Sequence, residues 1–337
     1  MKRIFFLLLV TTSFAAVAQP GGESKLETAR SFMRSGDYDN AVIVLKRALE
    51  EDKNNLELQK ELVMSYYLKR DYTQAVKGVE ELIDRKDADE ACFQIAGNVY
   101  KALEQVKECE KMYKKALKKF PKSGPLYSEY GELLWAAKNF SAIEQWEKGI
   151  QVDPSFSGNY YNAARYYYFT KDKVWSLIYG EIFINMESLS PRGTAMKQLL
   201  LDAYKEKLFS EADLLKGEEK NKNAFSLAFL ESMNKQSSLA GKGINIETLT
   251  MIRTRFILDW FSNHASKFPF RLFDYQRQLL QEGLFEAYNQ WLFGPADNLA
   301  AYDAWTKSNQ DKYTAFTNFQ KNRIFKMPAN QYYQQAD

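Results

Sequence analysis

The chain has 337 residues, a net charge of +3, one histidine (His264) and two cysteines (Cys92 and Cys109). A zinc site built from four cysteines, two cysteines and two histidines, or three histidines needs more of these ligands than the chain contains, and so does a disulfide-stapled scaffold. The small net charge argues against a general nucleic-acid binder, so we expect no nucleic-acid partner.

Residues 1–18 have the three parts of a secretory signal peptide. A basic start at Lys2 and Arg3 precedes the apolar run 4–10, and the small-x-small site 16–18 follows. The run is shorter than the ~18–20 residues that cross a bilayer, which favours cleavage over a membrane anchor. No cysteine follows the cleavage site, and no later segment is apolar and long enough to span a membrane. The sequence therefore predicts export to the periplasm or the extracellular space after cleavage at Ala18, without a lipoprotein anchor.

A 34-residue period organises the first half of the chain. A turn dipeptide recurs at this step, with one residue deleted before the last copy, at Asp37-Tyr38, Asp71-Tyr72, Gln105-Val106, Asn139-Phe140 and Asp172-Lys173. Small residues recur at the same step, with one residue deleted before the fourth copy, at Ala41, Ala75, Cys109, Ala142 and Ser176. Each period predicts two amphipathic helices joined by a short turn. One such hairpin cannot bury its apolar face alone, so we expect successive hairpins to stack.

These residues resemble the tetratricopeptide repeat (TPR) pattern. The first period contains Ser35-Gly36-Asp37-Tyr38 with Ala41, and the fourth contains Tyr130-Gly131 and Asp153-Pro154. We assign five repeats, at 22–55, 56–89, 90–123, 124–156 and 157–191. The predicted fold class is all-α: a TPR-like helical-hairpin solenoid followed by an aromatic-rich α-helical C-terminal region. The resemblance implies a non-catalytic scaffold that binds a protein or peptide partner in a concave groove.

In the TPR family the first helix of each hairpin lines this groove. Repeat register places ten candidate partner-binding residues there: Arg30, Arg34, Lys60, Tyr67, Asn98, Lys101, Trp135, Tyr161, Arg165 and Tyr168. The family's carboxylate-clamp pattern is not matched. The aromatic second half of the set has two interpretations: a trough for an extended peptide with aromatic hot spots, or rings that pack against the protein's own C-terminal helices.

The two cysteines are predicted to be buried thiols without a disulfide. Cys109 occupies a small-residue position in the second helix of its hairpin, and Cys92 lies near the start of the first helix. Two antiparallel helices would hold their Cα atoms beyond the ~7 Å that a disulfide permits. No cofactor is indicated anywhere in the chain.

The second half is predicted to be helical but matches no family pattern. We expect capping or connecting helices at 192–235, including one at 211–218, then a linker at 236–243. An α-helical region follows at 244–326, with a continuous helix at 271–292, and residues 327–337 form a frayed tail.

Nineteen aromatic residues lie between Phe256 and Tyr333, several at helical spacing. This pattern favours an aromatic-packed bundle. The alternative is an exposed platform that contacts a glycan or a partner peptide.

Carboxylates alone can support catalysis, because a glycosidase needs only two of them placed a few ångströms apart. Glu282 and Glu286, one helical turn apart, and the pair Asp259 and Asp274 are the candidates. Carboxylates on one helix face usually belong to a solvated stripe. The sequence has no phosphate-binding loop after a strand and no G-x-S-x-G elbow. We therefore predict a non-enzyme, with a carboxylate-based hydrolase as the weakest alternative.

Overall fold

The computed structural model describes residues 21–321 and 323–334. The predicted signal peptide at residues 1–18 lies outside this part. All regular secondary structure in the described ranges is helical, which confirms the all-α prediction. No helix among these residues is both long enough and apolar enough to cross a membrane.

The chain divides into two compact units, with the boundary between Leu103 and Glu104. The repeat limits predicted from the sequence are not tested by this division and stay predictions. In the described part, the first unit contains five helices: α1 (Gly21–Arg34), α2 (Tyr38–Glu51), α3 (Leu56–Leu68), α4 (Tyr72–Asp84) and α5 (Glu90–Ala102).

Small residues allow close packing within the first unit. Ala29 of α1 packs with Leu45 and Ala48 of α2 and with Leu58 of α3, and all four are buried. Because alanine adds little volume, the backbones of neighbouring helices can approach until the leucines fill the remaining space. The recurring small positions of the sequence are therefore positions of helix–helix contact.

The turns between paired helices use a left-handed residue at a 34-residue step. Gly36 has φ +79°, Arg70 +64°, Glu104 +55° and Lys138 +58°. Only glycine adopts this conformation without strain. Glycine occupies only the first of these four positions, so the sequence did not reveal the last three.

The second unit contains the remaining described helices. They are α6 (Val106–Lys119), α7 (Gly124–Ala136), α8 (Ala142–Val152), α9 (Ser157–Tyr168), α10 (Trp175–Met186), α11 (Pro191–Asp202), α12 (Ala224–Asn234), α13 (Ser237–Ala240), α14 (Ile246–Asn263), α15 (Arg271–Gln281), α16 (Phe285–Asp297), α17 (Leu299–Ser308) and α18 (Gln310–Lys321). A π-helical segment, Ala203–Leu208, directly follows α11. Helix α11 packs against α16, so the hairpin helices and the C-terminal helices share this unit.

Three local predictions in the second half are wrong. The predicted continuous helix 271–292 is divided into α15 and α16 by Gly283, which takes φ +71°. Residues 211–218 form turns rather than a helix, and the predicted linker 236–243 includes the short helix α13. A helical pattern tolerates glycine as an interior residue, but here it ends the helix in a left-handed turn.

The C-terminal aromatic residues form a packed core, which supports the bundle interpretation of the sequence. Phe225 of α12 is its hub, because its ring lies 5.3 Å from the ring of Trp260, 5.6 Å from Trp175 and 6.1 Å from Phe273, between centroids. Trp260 is fully buried. The aromatic excess of this half is therefore used mainly for packing.

The chain after α18 is bound to the second unit, so the expectation of a frayed tail is wrong for residues 327–334. The ring of Tyr333 stacks on Phe225 at 4.8 Å between centroids, and its hydroxyl donates to the Pro269 carbonyl at 2.8 Å. Asn223 donates to the Tyr333 carbonyl at 2.6 Å. The polar composition suggested fraying, but each of these polar groups has a specific partner.

The variant Tyr333→Ala should release this segment, because it removes the ring stack and the hydrogen bond together. We expect limited proteolysis after residue 323 to become at least about tenfold faster, since cleavage follows local opening. Tyr38→Ala, in the first unit, is the control for general sensitivity. Equal cleavage rates for the wild type and Tyr333→Ala would contradict the prediction.

Candidate partner-binding pocket

The predicted cations of the first unit are largely neutralised within the protein. Arg30 donates to Glu61 at 2.7 Å, and hydrogen bonds to glutamates, Glu61 foremost, raise the pKa of its guanidinium. Lys60 is buried, and its Nζ lies 2.7 Å from Asp89 and 2.5 Å from Glu57. These side chains therefore stabilise the repeat stack by internal pairing, and little of their charge is available to a partner.

The other candidates of this unit do not converge on its cavity. Arg34 is exposed, and Tyr67, Asn98 and Lys101 are half-buried, with the Tyr67 ring 6.3 Å from that of Tyr72. A cavity of about 200 Å³ in the same unit has a different lining: Leu49, Gln59, Leu62, Val63, Tyr66, Gln74, Lys77, Gly78, Glu81 and Leu82.

In the second unit the structure brings three of the four candidates together. A cavity of about 220 Å³ is lined by Glu132, Trp135, Trp146, Tyr161, Asn162, Arg165, Tyr166, Phe169 and Arg192. We call it the aromatic pocket. Trp135, Tyr161 and Arg165, which register assigns to first helices, all line this cavity, and their role in partner binding stays a prediction. Tyr168 is not part of the lining, because its hydroxyl donates to Glu206 at 2.9 Å.

The aromatic pocket is built on rings held by their neighbours. The Trp135 ring lies 5.6 Å from Tyr166 and 6.1 Å from Trp146, between centroids. Trp146 donates from Nε1 to the Ser128 carbonyl at 3.2 Å, and a Cβ at Gly131 would lie only 2.3 Å from the same nitrogen. Glycine at 131 is therefore required for Trp146 to occupy its position.

Two arginines border the pocket and differ in their partners. Arg165 and Arg192 both stack on Tyr161, at 5.3 and 5.0 Å from the ring centroid. Arg192 is neutralised by Glu187, with Nη2 2.6 Å from Oε2. Arg165 is exposed and forms no ion pair within the described ranges. The pocket thus presents one unpaired cation beside an aromatic surface.

Several pocket residues were missed by sequence reasoning. Trp146 and Tyr166 were not among the ten candidates because register gave Trp146 a core position in a second helix. Arg192 comes from the first turn of α11, which the repeat pattern does not reach. Register does assign Phe169 to the groove, and its side chain is 68% exposed; Phe140, whose ring lies 5.9 Å from that of Trp135 between centroids, is 64% exposed. Unusual exposure of large rings shows in the structure but not in the sequence.

The carboxylates proposed as catalytic candidates are engaged with donors. Glu286 accepts from Lys312 at 2.9 Å, and Asp259 accepts from Lys235 at 2.7 Å and from Ser232 at 2.8 Å. The pKa of Asp259 is lowered, because these hydrogen bonds outweigh the effect of burial. A general acid needs the opposite shift. Glu282 and Glu286 do not share one helix, because the chain turns at Gly283.

The remaining chemistry-bearing side chains are in structural positions. Cys92 and Cys109 are both buried thiols, and burial raises the pKa of Cys92 to about 11, away from a reactive thiolate. His264 ends α14, with its ring 5.3 Å from that of Trp260. The described residues contain no group of three or more His, Cys, Asp or Glu side chains that could hold a metal ion.

Repeated helical hairpins with small contact residues and Asp-capped turns define an α-helical repeat protein. The sequence matches the tetratricopeptide repeat family at residues 32–96 and again at residues 89–121. Residues 32–121 therefore contain tetratricopeptide repeats, as the sequence pattern indicated. No curated protein matches it.

Three solved structures that resemble the chain are described as TPR proteins. A thermophilic TPR protein of Thermus thermophilus is 15% identical, with a TM-score of 0.43 over 54% of this chain and 98% of that one. A tetratricopeptide repeat protein of Parabacteroides merdae is 16% identical, with a TM-score of 0.43 over 72% of this chain and 91% of that one. YrrB, a TPR protein described as having an unusual peptide-binding site, is 18% identical, with a TM-score of 0.38 over 52% and 92% of the two chains.

Proposed function

We propose that this TPR protein is an exported, non-catalytic scaffold that binds an extended segment of a protein partner in the aromatic pocket. TPR folds act in general as protein–protein interaction scaffolds. The observation that carries the finer proposal is the open aromatic cavity bordered by the unpaired cation of Arg165.

The size of the cavity favours a side chain over a small-molecule ligand. Its volume of about 220 Å³ is below the ~300–1,000 Å³ of typical small-molecule sites. A single apolar side chain inserted between Trp135 and Phe169 would fill much of this space. Buried aromatic contacts of this kind supply most of the binding energy in protein interfaces.

The charge of the pocket selects the residues next to that anchor. Arg165 would pair with a carboxylate of the partner, because a guanidinium binds carboxylates with two parallel hydrogen bonds. Glu132, which accepts from Asn162 at 3.0 Å, adds one acceptor to the lining. The proposed ligand is therefore an apolar or aromatic residue beside an acidic residue or a C-terminal carboxylate.

Selection from a display library of linear peptides tests this proposal. We expect selected peptides to share an apolar residue adjacent to an acidic one. Phe169→Ala and Arg165→Glu should each raise the measured Kd by at least about tenfold, since central contacts are typically worth about 2 kcal/mol of binding free energy. Both side chains are exposed, so the melting temperature should change little.

The matched controls are Leu258→Ala and Arg255→Glu on the exposed face of α14 in the same unit. They should leave peptide binding unchanged. Peptides that bind the Phe169 and Arg165 variants as tightly as the wild type would overturn the pocket assignment. Trp135→Ala is less informative here, because Trp135 also packs against three rings of the fold.

A further inference from the structure

Helix α6 carries an unusual concentration of positive charge. Residues 106–122 contain seven lysines and two glutamates, whereas the whole chain has a net charge of only +3. The rest of the chain therefore carries a slight net negative charge. Charge segregated in this way creates a local field that the overall composition conceals.

The lysines of α6 lie on one face of the helix. The buried face consists of Cys109, Met112, Tyr113 and Ala116. Lys107, Lys111, Lys114, Lys115 and Lys118 are exposed and, with Glu110, line an open depression of about 600 Å³, and Glu108 and Lys119 of the same helix are exposed as well. At 1.5 Å per residue the five lysines extend over about 16 Å. We call these five lysines, together with Lys122 just beyond the helix, the lysine stripe.

Most of this charge is not used inside the protein. Lys114 is paired with Glu110 at 2.7 Å. Within the described residues, Lys107, Lys111, Lys118 and Lys122 are exposed and form no ion pair. Like charges on one helix face repel each other and cost stability, so the stripe has no structural benefit that explains it.

We propose that the lysine stripe is a peripheral binding surface for an anionic lipid bilayer. Lysine is a compact, strongly hydrated charge that suits a field of phosphate headgroups, and each one near such a surface strengthens binding by about fivefold. The stripe contains no arginine for bidentate recognition and no aromatic ring on its exposed face for base stacking, which disfavours a nucleic-acid partner. It also lacks an apolar pocket for a peptide anchor.

The same geometry sets the mode of binding. Val106 is an exposed large apolar residue of segment 106–122, with 42% of its surface accessible. Without an apolar face the helix would adsorb on the headgroups rather than insert between the acyl chains. Binding should therefore be electrostatic and strongly weakened by salt.

Vesicle co-sedimentation of the full chain tests the proposal. The probes are vesicles of phosphatidylcholine with about 30% phosphatidylglycerol, and vesicles of phosphatidylcholine alone, each at low and at high salt. Binding is read as the difference between the two kinds of vesicle, and residues 1–18 are identical in the wild type and in every variant compared. We expect selective binding to the anionic vesicles that is lost at high salt.

Two variants with the same change in net charge distinguish the effect of the lysine stripe from that of the overall charge of the protein. Lys107, Lys111, Lys118 and Lys122 are replaced by Gln in one, and the exposed Lys171, Lys220, Lys222 and Lys242 in the other. The first variant should lose at least about 100-fold in anionic-vesicle partitioning, and the second less than about fivefold. Equal loss in both variants would overturn the proposal. The proposal would also be overturned if the wild-type chain did not bind anionic vesicles but bound DNA or polyglutamate through the stripe.

Discussion

Arg253→Met should lower the free energy of unfolding of the second unit by about 3–5 kcal/mol, the cost of breaking a buried ion pair. Arg253 of α14 and Glu181 of α10 are 1% and 3% exposed, and they form a direct ion pair. Removing the guanidinium would leave the buried carboxylate of Glu181 without its counter-charge.

The pair lies in a network that joins four helices. Glu181 Oε1 also accepts from Gln276 of α15 at 2.6 Å and from Tyr288 of α16 at 2.7 Å. Arg253 donates from Nη1 to Asn289 at 2.6 Å, and its guanidinium lies 5.1 Å from the centroid of the Phe293 ring. Because both charges have several partners, their desolvation is compensated only when the whole network is present.

Tryptophan fluorescence during urea unfolding measures the effect. All six tryptophans follow Glu104 in the sequence, so the signal reports the second unit. Arg255→Met, an exposed position on the same helix, is the matched control and should change stability by less than about 0.5 kcal/mol. The double variant Glu181→Met with Arg253→Met should cost less than the sum of the two single variants, because no charge is left unpaired. An Arg253→Met chain as stable as the control would contradict this account.

Neither member of the pair could be recognised from the sequence. Glu181 interrupts an otherwise apolar helix, and Arg253 lies in a segment where Arg255, two residues on, is exposed. Their pairing depends on α10 and α14 meeting in the folded unit, which no local pattern specifies. The repeats were visible because their contacts recur at a fixed step along the chain.

The aromatic pocket likewise combines residues that the repeat pattern predicts with a residue that only tertiary packing brings in. Register placed Trp135, Tyr161 and Arg165 on first helices, and they meet in one cavity. Arg192 enters from α11, beyond the repeats. In the first unit, register assigns Arg30 and Lys60 to the groove but does not reveal the carboxylates that neutralise them. A sequence pattern shows which face a residue occupies, while tertiary packing decides whether its charge is available.

A second buried carboxylate, Glu147 of α8, connects the repeats with the C-terminal segment. Tyr167 of α9 and Tyr179 of α10 donate to its two oxygens at 2.9 and 2.8 Å, and Tyr332 of the C-terminal segment donates to it as well. Gln334 donates to the hydroxyl of Tyr167. The segment after α18 is thus attached at the same cluster that joins α8, α9 and α10.

Burial raises the pKa of Glu147 to about 7, although the three tyrosine hydroxyls act in the opposite direction. The folded state therefore binds a proton more tightly than the unfolded state, whose carboxyl has its ordinary pKa near 4.5. The stabilising contribution is fully present below pH 4.5 and is lost as the pH rises through 7. Lowering the pH from 8 to 5 should add about 2 kcal/mol to the free energy of unfolding from this group.

Glu147→Gln isolates this contribution, since an amide keeps hydrogen-bonding groups in the cluster but does not titrate. Unfolding by urea is followed by tryptophan fluorescence at pH 5, 6, 7 and 8. The difference between wild type and variant cancels the titrating groups that do not interact with Glu147. We expect this difference to shift by about 2 kcal/mol in favour of the wild type from pH 8 to pH 5. Glu144→Gln, exposed on the same helix, should follow the wild type at every pH. If the stability of Glu147→Gln shows the same pH dependence as that of the wild type, Glu147 does not titrate in this range. The C-terminal segment is then held by a cluster whose charge is constant.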